Sequence, residues 1–164
     1  MIVVADTTPP LYLARLGLLD LLRTLYGTVV VPTEVWRELV EYRPDAPGVA
    51  ELRAAPWIRV DPGADASPLL AELEEEIDRG EASAIALALL RRADVVLVDD
   101  GAGRRAATRR GLLPRGTLGV LVTARERGLL PALRPVLDRL RGEGFRVDAE
   151  LVRRVLISVG EETG

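Results

Sequence analysis

Four short, almost wholly apolar runs, each followed by a helical stretch, set the terms on which this chain can fold. They are Ile2–Ala5, Thr28–Val31, Trp57–Val60 and Val95–Val98, with Leu112–Arg115 as a shorter fifth. A strand that is apolar at successive positions is buried on both faces, as strands of parallel sheets are. The intervening segments carry helical punctuation. Thr8 reads as a helix cap with Pro9 in the first turn. Leucines from Leu11 to Leu25 supply apolar surface for two short helices broken at Gly17. Pro32-Thr33 opens a helix to about Tyr42, with Thr33 as its cap and Val35, Trp36, Leu39 and Val40 as its apolar stripe. Further helices are expected over about 69–79, 81–92, 103–110, 117–127, 133–141 and 149–159, with Gly80 separating the first two of these. The alternation predicts an α/β fold with a parallel sheet and right-handed crossovers, in one domain over residues 1–164.

Composition narrows the chemistry. The chain has 164 residues and contains no His, no Cys and no Lys, so all 22 basic residues are Arg. These absences exclude a Ser-His-Asp triad, the usual zinc ligands, a lysine Schiff base and a normal Walker A loop. Carboxylates without imidazole or thiolate suit hard cations such as Mg²⁺ or Mn²⁺. Residues 1–100 hold 9 Arg against 18 acids, whereas residues 101–154 hold 13 Arg against 5 acids. That split sets an acidic region against a basic one, as a metal-dependent nuclease would need. No apolar run reaches the roughly 18 residues that span a bilayer. The opening residues read as a strand and not as a signal peptide. A cytoplasmic location without membrane contact is the default expectation.

In open parallel sheets, ligands bind at the carboxyl ends of strands where the strand order switches. The first and fourth strands run directly into acids, Asp6 and the Asp99-Asp100 pair. Each acid has a plain alternative role. Asp6, Asp99 and Asp100 suit turns, Glu81 suits a first helical turn, and Glu38 shares an exposed helix face with Glu34 and Glu41. Two adjacent acids closing a buried strand repel each other unless a cation or an arginine such as Arg104 or Arg105 neutralises them.

Taken in order, Asp6, Glu38, Glu81 and Asp99-Asp100 resemble the acidic series of PIN-domain proteins. The segments that carry the likeness are Asp6-Thr7-Thr8-Pro9, Arg79-Gly80-Glu81-Ala82-Ser83-Ala84-Ile85-Ala86-Leu87, Val98-Asp99-Asp100 and Gly116-Thr117-Leu118-Gly119-Val120-Leu121. They span nearly the whole chain. The resemblance implies a three-layer sandwich with helices on both faces of a sheet ordered 3-2-1-4-5. It also implies an Mg²⁺- or Mn²⁺-dependent endoribonuclease, often a toxin checked by a cognate antitoxin, and often a homodimer. By the same resemblance Asp6, Glu38, Glu81 and Asp100 form the catalytic acids. Asp6, Glu81, Asp99 and Asp100 are the metal ligands, with Asp99 the register alternative to Asp100. Thr7 or Thr8 supports Asp6 or a metal-bound water, on the substrate-binding side of the site. Thr8 stands where the family usually has Ser, Pro10 is an unusual second proline, and Glu81 replaces a frequent Asp with a side chain one methylene longer.

Arg104, Arg105, Arg109 and Arg110 are candidates to hold an RNA backbone. With one Phe, two Trp and three Tyr, recognition is expected to lean on phosphates and RNA shape more than on stacking. Two competing readings are a nucleic-acid- or protein-binding module on a PIN scaffold without turnover, and a phosphotransferase of the haloacid-dehalogenase type. The latter also places an Asp after its first strand, but Thr8 breaks its Asp-x-Asp and its usual Lys is absent.

Overall fold

The computed structural model describes residues 1–164, which form two compact units, Met1–Thr117 and Leu118–Gly164. The first unit contains the sheet. Its elements are β1 (Val3–Ala5), α1 (Thr8–Arg15), α2 (Asp20–Tyr26), β2 (Val29–Pro32), α3 (Thr33–Trp36), α4 (Val49–Arg53), β3 (Ile58–Asp61), α5 (Pro68–Glu74), α6 (Arg79–Leu90), β4 (Val95–Leu97), α7 (Gly101–Arg109) and β5 (Pro114–Arg115). All strand pairings are parallel, and the order is β3-β2-β1-β4-β5. The expected class and strand order are therefore correct. β1 lies between β2 and β4, with Val3 opposite Val29 and Val95, and Ala5 opposite Leu97.

Val3, Val4, Ala5, Val96, Leu97 and Val98 are each fully buried, so the central strands are covered on both faces. On one face, Val4, Val96 and Val98 pack with Leu70, Leu73, Ile85, Leu87 and Ala106. Each such buried aliphatic side chain contributes roughly 1.5–3 kcal/mol over its exposed state. Helix α6 is the pivot of this layer. Every residue from Gly80 to Ala88 is buried, and its glycine and alanines let it lie close against β1, β2 and β4. A helix buried all round follows from its composition, because it has no polar face beyond its ends.

The structure moves several boundaries. Thr8 is the first residue of α1 and not its cap, and the Thr7 preceding it makes no side-chain cap bond. Thr33 likewise opens α3, after Pro32. The helix expected to run evenly to Tyr42 instead widens into a π-helical turn over Arg37–Glu41. Gly80 does not separate two helices. The break falls at Asp78, whose carboxylate accepts from the Glu81 amide while the Glu81 carboxylate accepts from the Asp78 amide. This capping box satisfies two otherwise orphaned amides and fixes the helix start two residues earlier.

The second unit, together with Thr117, carries α8 (Thr117–Glu126), α9 (Arg134–Gly142) and α10 (Ala149–Ser158). Its buried residues include Val120, Leu121, Leu133, Leu137, Leu140 and Leu156. Glu161 accepts from the Leu133 and Arg134 amides at the start of α9, which ties the chain end to that helix. No helix of either unit is long and apolar enough to cross a membrane.

Candidate active site

Asp6 leaves the carboxyl end of β1 with its amide donating to the Leu97 carbonyl at 2.8 Å. That bond continues the ladder to β4 and carries the side chain to the switch point between the two strands. The residue is only 5% exposed. Burial above all, opposed by a hydrogen bond from the Thr7 amide and reinforced by the Asp78, Glu38 and Asp99 carboxylates, lifts its pKa from the usual aspartate range to about 7.

Glu38 reaches the same place from the π-helical turn. The Thr7 hydroxyl donates to its Oε2 at 2.6 Å. Burial is again the main cause of a raised pKa, opposed by that hydrogen bond and reinforced by Asp78 and Glu34. π turns inside helices are frequent at functional sites. Glu81 comes from the first turn of α6 and is 4% exposed. Burial, followed by the negative charges of Asp78, Asp6 and Asp100, lifts it to about 8.

Asp99 is held differently. Its two oxygens accept from the Thr117 amide and hydroxyl, both at 2.7 Å. Burial raises its pKa, while Thr117 and the Arg104 guanidinium lower it. Asp100 is exposed and caps α7, accepting from the Ala102 and Gly103 amides at 3.0 and 3.4 Å. The expected acids thus share one electrostatic neighbourhood, with Asp6 and Glu81 at its buried centre.

Asp78 is the member that sequence reasoning missed. It presses on Asp6, Glu38 and Glu81 together. The spacing Asp78-Arg79-Gly80-Glu81 was the available signal, since a cap residue followed three positions later by Glu marks a helix start. Of the two threonines, Thr7 hydrogen-bonds the acids, through its hydroxyl to Glu38 and its amide to Asp6.

The arginines divide. Arg109 and Arg110 both bind Glu76, and Arg110 also donates to the Ala106 carbonyl. Arg104 lies beside Asp99. Arg104, Arg105, Thr108, Arg109 and Pro114 line an open cavity of about 340 Å³.

No three acidic side chains form a ready-made metal cage. The donor chemistry still suits a hard cation. The acids are oxygen donors, they repel one another, and Asp6 and Glu81 sit in a buried place where ionisation is costly without a counter-charge. Mg²⁺ keeps several waters and commonly takes one or two protein carboxylates together with substrate phosphate, so it does not require a closed cage.

A parallel sheet ordered 3-2-1-4-5, with mutually repelling acids at the ends of its adjacent central strands, defines an α/β protein of the PIN-like class. The comparison with family models agrees: the model described as PIN domain matches residues 2–161, and the chain belongs to the PIN-domain family. PIN domains are generally nucleases that use divalent metal ions and bind RNA or other nucleic acid. Neither the curated proteins nor the solved structures yielded a significant match.

Proposed function

We propose that this PIN-domain protein is an Mg²⁺- or Mn²⁺-dependent endoribonuclease, acting as the toxin of a toxin–antitoxin pair. The observation that carries the catalytic part is the burial of two acids, Asp6 at 5% and Glu81 at 4% exposure, among other acids, with no arginine among the causes that raise their pKa values. Burying carboxylates beside like charges costs the fold stability, and perturbed carboxylates brought together mark functional sites.

In this reading Asp6 and Glu81, with Asp100, would hold the ion, and Asp99 is the alternative to Asp100. Asp99 is the weaker candidate because both its oxygens already accept from Thr117. A divalent ion bound there supplies positive charge toward a phosphodiester and acidifies a water for attack. The residues of the chain do the rest. Glu38, steadied by the Thr7 hydroxyl, orients water toward the scissile phosphate. Thr7 and Thr8 keep the turn after β1 in place. Arg104 and Arg105 hold the strand backbone, with Arg109 contributing from the rim of the same cavity. The cognate antitoxin and a homodimeric state belong to this proposal as the family's usual arrangement.

The test is Asp6→Asn. The variant is expected to fold and to lose Mn²⁺-dependent cleavage of single-stranded RNA by at least about 100-fold, given what an ion supplies to phosphoryl chemistry. Full cleavage by the variant would remove Asp6 from the site. A second reading has its own observation, the lack of a ready-made cage: the scaffold binds nucleic acid without turnover. Wild-type protein that retains RNA but cleaves none in Mn²⁺ would establish that reading instead.

A further inference from the structure

Three glycines from three segments each face a different acid at a distance no side chain could share. A Cβ built on Gly80 would fall 2.8 and 2.9 Å from the two carboxylate oxygens of Glu38. One on Gly103 would fall 2.9 Å from Glu81 Oε1, and one on Gly116 would fall 2.8 Å from Asp99 Oδ1. None of the three has positive φ, so backbone conformation does not demand glycine. Gly80 and Gly103 lie in the first turns of α6 and α7, and glycine is a poorer helix former than alanine. Their presence weakens both helices and needs another reason.

We propose that Gly80, Gly103 and Gly116 are positioning residues of the acidic site: each leaves the space in which one carboxylate rests, and thereby sets where that carboxylate points. The proposal rests on the nuclease reading for its consequence and on these distances for its geometry. Gly80 is the cleanest case. The three atoms nearest its missing Cβ all belong to the Glu38 carboxylate, and that carboxylate is the end of a flexible side chain. A methyl group there displaces Glu38 and breaks its hydrogen bond from Thr7, at little cost to the helix. At Gly103 the new methyl also presses Val98 Cγ2, at 3.0 Å, so some loss of stability accompanies the displacement of Glu81. At Gly116 the methyl would strike the acid that holds Thr117, and there the fold itself is at stake.

The experiment compares Gly80→Ala, Gly103→Ala and, as a control, Gly142→Ala, a helical glycine with nothing near its missing Cβ. Melting temperature, Mn²⁺ affinity by titration calorimetry, RNA cleavage and the side-chain carboxyl ¹³C resonances of Glu38 and Glu81 are read for each. Gly80→Ala should melt no lower than wild type, move the Glu38 resonance, and lose about 10- to 100-fold in kcat, the range seen when the support of a metal-site group is removed. Gly103→Ala should weaken Mn²⁺ binding by a similar factor. Gly103→Ala combined with Glu81→Asp should recover part of that affinity, because the shorter acid withdraws from the new methyl. The control should match wild type in Mn²⁺ affinity, cleavage and both resonances, and melt no lower. If wild type binds Mn²⁺ and cleaves RNA, and Gly80→Ala and Gly103→Ala equal it in every readout, the proposal is overturned and the nuclease reading stands. If wild type neither binds Mn²⁺ nor cleaves RNA, the nuclease reading fails. The ¹³C resonances then decide the geometric claim: shifted carboxylates uphold it, and unshifted ones overturn it.

Discussion

The carboxylates of this protein fall into two populations with opposite environments. Asp61 and Glu76 are each met by guanidinium groups. A two-pronged hydrogen bond from Arg91 holds Asp61 below its ordinary pKa, and Arg110 with Arg109 does the same for Glu76. Asp6, Glu38 and Glu81 are met by one another and by Asp78, and all three are pushed upward. Arginine is abundant in the chain, so scarcity of counter-charge does not explain the second population. The fold sets arginines against Asp61, Glu76 and Asp99 and none among the causes that shift Asp6, Glu38 and Glu81. An ion pair is a self-contained structural device, whereas a buried cluster of like charges is complete only with something else bound.

The largest effect that would sharpen this contrast is on stability against pH. In the folded chain without metal, Asp6 stays protonated up to about 7 and Glu81 up to about 8. In the unfolded chain both lose their protons near pH 4. Between those limits the folded state binds more protons, so stability must fall as pH rises from about 4 through about 8. Asp6→Asn removes one ionisable group from that balance. Its metal-free melting temperature at pH 8 should exceed that of wild type by roughly 5–10 °C, and the two should converge near pH 4. Mn²⁺ should raise the wild-type value most at high pH, where it meets ionised ligands. Parallel melting curves for wild type and Asp6→Asn across this range would dissolve the distinction between the two populations.

The sequence made the first population's opposite easier to see than its cause. The strands were legible because a run such as Val3-Val4-Ala5 has no polar face and so fits only a strand covered on both sides. The adjacency of Asp6 and Asp99 followed once β1 and β4 were neighbours. What stayed hidden was set by contacts between segments distant in the chain. Asp78 belongs to the site because a capping box starts α6 there, and reading Gly80 as a break obscured that box. Local propensity argues against glycine in a helix, but Gly80 is retained inside one where Glu38 lies against it. The π turn that carries Glu38 has no evident mark in the residues around it. The commitment of Arg109 and Arg110 to Glu76 depends on a pairing 33 and 34 residues apart in sequence, which no local pattern encodes.

A smaller effect separates the arginines. Arg104 stands beside Asp99 on the open cavity, while Arg110 is occupied by Glu76 and by the Ala106 carbonyl. Arg104→Ala should weaken RNA binding and reduce the slope of log affinity against log salt by about 0.7, the value for one phosphate contact on a single strand. Arg110→Ala should leave that slope unchanged. Equal slopes for Arg104→Ala and wild type would take Arg104 out of the RNA interface.

The smallest effect belongs to the paired carboxylates and has the opposite sign in pH. Arg91→Ala removes the guanidinium from Asp61, but the Gly63 amide still donates to that carboxylate at 2.8 Å. Arg91 is 45% exposed, so solvent screens the pair and its loss should lower the melting temperature by a few degrees at most. Because the pair holds Asp61 below its ordinary pKa, its contribution is present above the normal aspartate range. It disappears as pH drops through the lowered value. The Arg91→Ala deficit should therefore shrink only on acidification below about pH 4, beneath the range over which the cost of the uncompensated acids vanishes, and RNA cleavage should be unaffected throughout. A deficit that grew in acid would mean that Asp61 gains nothing from Arg91, and that this pair is a crossing of side chains rather than a bond.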